Sequence, residues 1–163
     1  MSGLQVVWFK KDLRTVDHSA LTQASRSGPV LPLFIVEPMF WAQPDASARQ
    51  WEFCSESLAE LREALVELGQ SLVVRTGEAL AVLQALQRQR GIEQLWSHQE
   101  TGNDFTYRRD QDIERWCRAQ AIPWHQPRSF GVIRGLGNRE GRAPAWEFLM
   151  RQPVSPKPAP VQP

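Results

Sequence analysis

No stretch of the sequence approaches the ~18 consecutive apolar residues that a bilayer-spanning helix needs. Met1 to Phe9 has neither the basic start nor the long apolar run of a signal peptide. Both absences lead to the expectation of a cytoplasmic protein. Charge of one sign is also lacking: 19 Lys and Arg against 18 Asp and Glu leave a formal +1, so no long-range basic field draws in a phosphate backbone. Any contact with nucleic acid then has to come from a local patch or from other polypeptide. Cysteine is scarce. Cys54 and Cys117 each fall in a helical pattern without CxxC or Cys/His ligand spacing, and both read as small core residues. Several motifs are missing too. No glycine occurs between Gly3 and Gly28, which removes a G-x-G-x-x-G turn from the loop after the first strand. G-x-x-x-x-G-K-[ST], G-x-S-x-G and H-E-x-x-H do not occur, and His18, His98 and His125 are scattered. A dehydrogenase-type NAD site, a P-loop, a hydrolase triad and a zinc protease therefore find no support in the sequence, and no metal site or catalytic constellation is expected.

What is present is the material of one globular domain. A chain of 163 residues with 42% hydrophobic and 23% charged residues buries a core without a staple. Leu4 to Phe9 and Val30 to Val36 are apolar runs that do not alternate, as suits strands covered on both faces. Between them His18 to Ser27 predicts a helix, with Asp17 as its N-cap and Gly28-Pro29 as its stop. A loop from Glu37 to Ser47 leads into a long helix in which Cys54, Leu58, Leu61, Leu65 and Leu68 share a face before Gly69. Ser71 to Arg75 reads as a strand, Glu78 to Arg90 as a helix capped by Gly91, and Ile92 to Ser97 as a fourth strand. Asp104 to Gln120 follows as a helix burying Ile113, Trp116 and Cys117, and Ile122 to His125 as a short fifth strand. Strands separated by single helices predict a doubly wound, five-stranded parallel sheet with helices on both faces, a Rossmann-like α/β fold.

The domain is expected to span residues 1–130. Residues 131–152 read as a Gly-rich loop and a short helix over Ala145 to Arg151. Residues 153–163 carry five prolines in eleven positions and read as a linker or tail. The glycine-rich run Gly135 to Gly141 follows no strand and opens no strong helix, so it reads as a surface turn.

In such a sheet ligands lie beyond the carboxyl ends of the strands. The residues gathered there are Lys10, Lys11, Asp12 and Arg14 after strand one, Glu37 after strand two and Glu100 after strand four. Polar groups above apolar strand ends suit an anionic or heterocyclic ligand; loops of this kind are also often only solvated.

The run Val6-Val7-Trp8-Phe9-Lys10-Lys11-Asp12-Leu13-Arg14-Thr15-Val16-Asp17-His18, followed by Val30-Leu31-Pro32-Leu33-Phe34-Ile35-Val36-Glu37-Pro38, resembles the start of DNA photolyases and cryptochromes. Lys10-Lys11 stands where that family's signature has an arginine pair, and His18 where it has asparagine. Leu72 to Glu78 is similar to the family's strand leading into an R-x-G-[DE] turn, and Ser97 to Asn103 with Tyr107 to Asp110 resembles a bacterial subgroup. The resemblance implies a five-stranded parallel sheet that houses or borders an antenna chromophore of the methenyltetrahydrofolate or deazaflavin/flavin type. It also implies that FAD, the tryptophan electron chain and the DNA-binding surface belong to a following helical domain, outside this chain, so none of the seven tryptophans here is expected in that electron chain and most are expected to be core or cleft aromatics.

Carried over by position, Lys11, Asp12 and Arg14 match the charged loop after strand one, and Glu37 the acidic residue after strand two. Glu100 matches a glutamate that lies near the pterin in folate-binding members, a task that suits a carboxylate because it accepts two hydrogen bonds. Arg109 and Asp110 match the helix motif, either as ligand contacts or as a structural ion pair. Two alternatives remain beside an antenna-binding domain of a light-driven DNA-repair or blue-light-sensing flavoprotein. One is a stand-alone nucleotide-binding or signalling domain of the same α/β superfamily. The other is an interaction domain that docks a partner through Trp146, Phe148 and Met150.

Overall fold

The computed structural model describes residues 3–133, 140–158 and 160. Five parallel strands form one sheet: β1 (Gln5–Phe9), β2 (Val30–Val36), β3 (Val73–Thr76), β4 (Gln94–Trp96) and β5 (Trp124–His125), in the order β3-β2-β1-β4-β5. The helices are α1 (Ser19–Ser27), α2 (Pro38–Trp41), α3 (Ala48–Glu67), α4 (Ala79–Arg90), α5 (Asp104–Ala119) and α6 (Arg142–Met150). The expected five-stranded parallel α/β fold is what the chain forms.

Alternation along β1 divides the core in two. Val7 and Phe9 face Leu21, Ala24, Leu61 and Leu65 of α1 and α3, while Val6 and Trp8 face Leu83, Ile113 and Cys117 of α4 and α5. All five residues of β1 are buried, which explains a run without polar alternation. A fully buried leucine in either layer contributes about 1.5–3 kcal/mol. Pro32, which lacks an N–H, pairs with Val7 of β1 at a point of β2 before the ladder to β3 begins at Leu33.

Three details depart from the sequence expectations. The N-cap of α1 is His18, whose side chain accepts from the Leu21 N–H; Asp17 stands in the left-handed region at φ 51°, outside capping geometry. The segment read as a loop from Glu37 to Ser47 contains α2, because Pro38 supplies a preset first turn. The last helix runs from Arg142 to Met150, three residues ahead of its expected start. The glycine-rich run falls largely outside the described residues. The proline-rich tail lies against the domain: the Ser155 N–H donates to Asp17 Oδ1 at 2.8 Å, and Thr22 Oγ donates to the Pro156 carbonyl at 2.9 Å.

Candidate functional site

The strand order reverses at one place. From β1 the chain proceeds outward through β2 to β3, then crosses back to add β4 on the other side of β1. The loops leaving β1 and β4 therefore diverge, and a crevice opens between them by topology alone. A hollow of about 330 Å³ occupies that crevice, lined by Lys11, Asp12 and Arg14 from the first loop and His98 and Glu100 from the second, with Phe130 on a later segment.

One wall is a buried ion network. Arg109 of α5 places Nη1 2.6 Å from Glu37 Oε2 and Nη2 2.5 Å from Glu100 Oε2, and it also contacts Asp110 at 3.0 Å. Lys10 Nζ lies 3.1 Å from Asp110 Oδ2 and 3.9 Å from Glu100 Oε2. Both cations sit against the Trp8 ring, Lys10 Nζ at 4.4 Å and the Arg109 guanidinium carbon at 4.8 Å from its centroid. Two buried cations thus face three carboxylates, and Lys11 at the rim, 3.4 Å from Glu100 Oε1, supplies the third positive charge. Burial pushes the Lys10 ammonium below its ordinary value, and Asp110 only partly offsets this. Burial likewise pulls against the Arg109 charge, but Glu100, Glu37 and Asp110 outweigh it and hold the guanidinium above its ordinary value. Asp110 is kept below the usual carboxylate range because Lys10 and Arg109 outweigh its burial. For Glu37 the balance reverses: burial wins and raises it, with Oε1 left without a well-formed hydrogen bond.

The floor is a second cluster. Asp12 Oδ2 stands 2.5 Å from His98 Nδ1 and 2.7 Å from His18 Nε2, the latter a short contact whose angle at the ring falls short of a well-aligned hydrogen bond. The ring centroids of His18 and His98 are 4.3 Å apart. His98 Nε2 lies 2.9 Å from Ser19 Oγ. Burial raises Asp12, yet bonding to the two histidines overrides it and leaves the carboxyl well below its ordinary range. His18 is lowered, chiefly by burial.

An Asp with two His invites a metal reading, since the three ligand atoms lie within 4.8 Å of one another. The tautomer argues against it. His18 Nδ1 accepts from the Leu21 N–H at 3.0 Å, so the ring hydrogen is on Nε2, and that atom faces Asp12 as a donor without a lone pair for a cation.

Of the sequence-derived site residues, Lys11, Asp12, Arg14 and Glu100 line the hollow together. Glu37 and Arg109 stand behind Glu100 as the outer half of its ion network rather than in the lining. Arg109 and Asp110 do pair, at 3.0 Å, and each also serves other partners. Sequence reading left out His18 and His98, because no local pattern shows that residues 79 and 86 positions apart meet at one strand end. It also gave no sign that Lys10 points inward; a lysine directly after a buried strand and two residues from Trp8 is the nearest such signal. Cys54 and Cys117 are free thiols, the second pushed up to about 12 by burial and Glu114, in keeping with core roles.

The chain is thus a doubly wound parallel α/β domain with a charged hollow at its switch point, the place where such sheets commonly hold ligands. The family model for DNA photolyase matches residues 5–133, and the chain belongs to that family. It is 31% identical over 120 residues to a chloroplastic/mitochondrial cryptochrome DASH of Arabidopsis thaliana, covering 69% of this chain and 20% of the relative. It is 32% identical over 127 residues to a deoxyribodipyrimidine photo-lyase of Vibrio cholerae, covering 74% of this chain and 27% of the relative. Among solved structures, a bacterial class III photolyase from Agrobacterium tumefaciens superposes with a TM-score of 0.80 at 21% identity, covering 100% of this chain and 36% of that one. An archaeal photolyase from Sulfolobus tokodaii, solved with two FAD molecules, gives 0.77 at 23% identity over 98% of this chain and 37% of that one. The chain corresponds to the amino-terminal α/β domain of these proteins, and spans between a fifth and just over a third of their length.

Proposed function

We propose that this domain is the light-harvesting module of a photolyase or cryptochrome flavoprotein, and that the switch-point hollow binds an antenna chromophore. FAD and the DNA contact belong, in this reading, to polypeptide of the parent protein beyond residues 1–163. The observation that carries the reading is the hollow itself: about 330 Å³, at the size of one heterocyclic ring system, with charged groups of both signs on its lining. Lys11 and Arg14 are exposed at its rim and suit an anionic substituent. Glu100 suits ring N–H donors, since Oε2 serves Arg109 and Lys10 while Oε1 faces the exposed rim residue Lys11 at 3.4 Å. When bound, an antenna absorbs near-ultraviolet or blue light and passes the excitation to the flavin. The chain's part is to hold the ring in one orientation, which the buried Arg109 network does by fixing Glu100 from behind. The Sulfolobus photolyase, whose two FAD molecules imply a novel light-harvesting cofactor in that protein, supports the assignment by kinship.

The test is uptake. The purified chain is titrated with methenyltetrahydrofolate, a deazaflavin and FMN, and fluorescence anisotropy and visible absorbance are followed. Saturable binding by one of them, weakened at least tenfold in Lys11→Glu or Glu100→Gln, supports the proposal; no uptake of any of the three sinks it. Whether the parent repairs DNA or senses light is read from cyclobutane-dimer repair by the full-length protein.

A further inference from the structure

Ser19, His98 and Asp12 form a line that the ion network does not use. Ser19 Oγ lies 2.9 Å from His98 Nε2, and His98 Nδ1 lies 2.5 Å from Asp12 Oδ2. Proton positions follow from the donor inventory. A carboxylate only accepts, so the hydrogen between Asp12 and His98 sits on Nδ1, and Nε2 keeps a lone pair that accepts the Ser19 hydroxyl. His18 approaches the same carboxylate oxygen at 2.7 Å and helps hold it in place. Hydroxyl, imidazole and carboxylate thus stand in the order that a general base needs to activate an alcohol.

Two further observations place a reacting group there. Ser19 is the first residue of α1, and His18 engages the Leu21 N–H through its ring and the Thr22 N–H through its carbonyl oxygen. The Ser19 hydroxyl thus stands at the positive end of the helix. Ser19 is also half-buried rather than sealed in, and His98 and Asp12 are part of the wall of the hollow.

We infer that Ser19 is an activated nucleophile, with His98 as its general base and Asp12 as a positioning residue, and that small activated esters acylate it. Ser19 Oγ forms a bond to the ester carbonyl carbon as His98 Nε2 takes the hydroxyl proton, and the negative charge on the carbonyl oxygen develops near the positive end of α1. The bond from carbon to the leaving alcohol oxygen then breaks, and His98 returns the proton to that oxygen. Water attacks the acyl-serine by the same route in reverse, releasing a carboxylic acid and restoring Ser19. No oxidant or metal enters.

The test uses the full chain. A fluorophosphonate probe is added at neutral pH, with intact mass and peptide mapping as readout, and p-nitrophenyl acetate hydrolysis is followed in parallel. A single adduct on Ser19, absent in Ser19→Ala and at least 100-fold slower in His98→Gln, supports the inference, in line with the usual contribution of a general base. Circular dichroism checks that each variant folds. If His98→Gln does not fold, the native chain is compared with the same chain in urea: labelling of Ser19 at least 100-fold faster in the native chain supports the inference. Equal rates in native and unfolded chains, an adduct spread over other residues, or no adduct at Ser19 would overturn it and leave the hydroxyl as only the hydrogen-bond partner of His98.

Discussion

Arg109 reaches from α5 to the end of β2, where its Nη1 lies 2.6 Å from Glu37 Oε2, and the same guanidinium holds Glu100 at 2.5 Å on the edge of the hollow. One side chain therefore ties three segments together: the helix after β4, the loop after β4 and the start of α2 after β2. The attraction matters less for net stability than for what its loss would leave behind, since both carboxylates are almost wholly buried.

Arg109→Met should strand Glu37 and Glu100 without a countercharge and cost about 3–5 kcal/mol. A denaturant titration measures this as a lower midpoint at unchanged slope. Glu37→Gln should cost less, because burial already works against the charge on Glu37 and the amide oxygen can still accept from Arg109. A loss in Glu37→Gln equal to that in Arg109→Met would contradict this ordering.

Stability should fall as acid is added, in two stages. His18 is lowered in the folded state from 6.5, so below that value the unfolded chain binds a proton that the native state resists. Stability is therefore full above about pH 6.5 and declines as pH drops toward the folded value. Asp12 and Asp110 are lowered from 3.8, so a second decline begins as pH falls below about 4. Asparagine is a good N-cap and does not titrate, so His18→Asn should flatten the upper stage; the lower stage should shrink, because Asp12 loses one of the two histidines that lower it, but persist through Asp110. Thermal midpoints recorded from pH 3 to 8 distinguish the stages; an unchanged upper slope in the variant would refute the role given to His18.

Removing residues 153–163 takes away the bonds from Ser155 to Asp17 and from Thr22 to Pro156. Thr22 is buried at 4% exposure in the intact chain, and the truncation leaves its hydroxyl to water. A loss of about 1–2 kcal/mol follows from two hydrogen bonds. Amide exchange should quicken in α1 and stay unchanged in α4 and α5, on the other side of the sheet.

Leu83→Ala in α4 should cost about 2–5 kcal/mol, because the side chain is fully buried between α4 and the sheet. Trp8, in the same layer, reports the change through its fluorescence. Leu80→Ala, at a position only partly buried against that layer, serves as the milder comparison.

The sequence by itself determined the order of the five strands and the longer helices and the parallel sheet between two layers, because strand and helix periodicity are local properties of successive residues, and its motif runs carried the family resemblance. It also placed Lys11, Asp12, Arg14, Glu37 and Glu100 at strand ends, since a residue that follows an apolar strand has to lie at its carboxyl edge. Only the tertiary structure decided which of them share a space. Crossing from β3 back to β4 brings His98 beside Asp12 and Ser19, while α5 carries Arg109 between Glu37 and Glu100. Those pairings depend on strand order and on how a helix seats on the sheet. Both are set by the packing of residues far apart in the chain, which no window of the sequence contains.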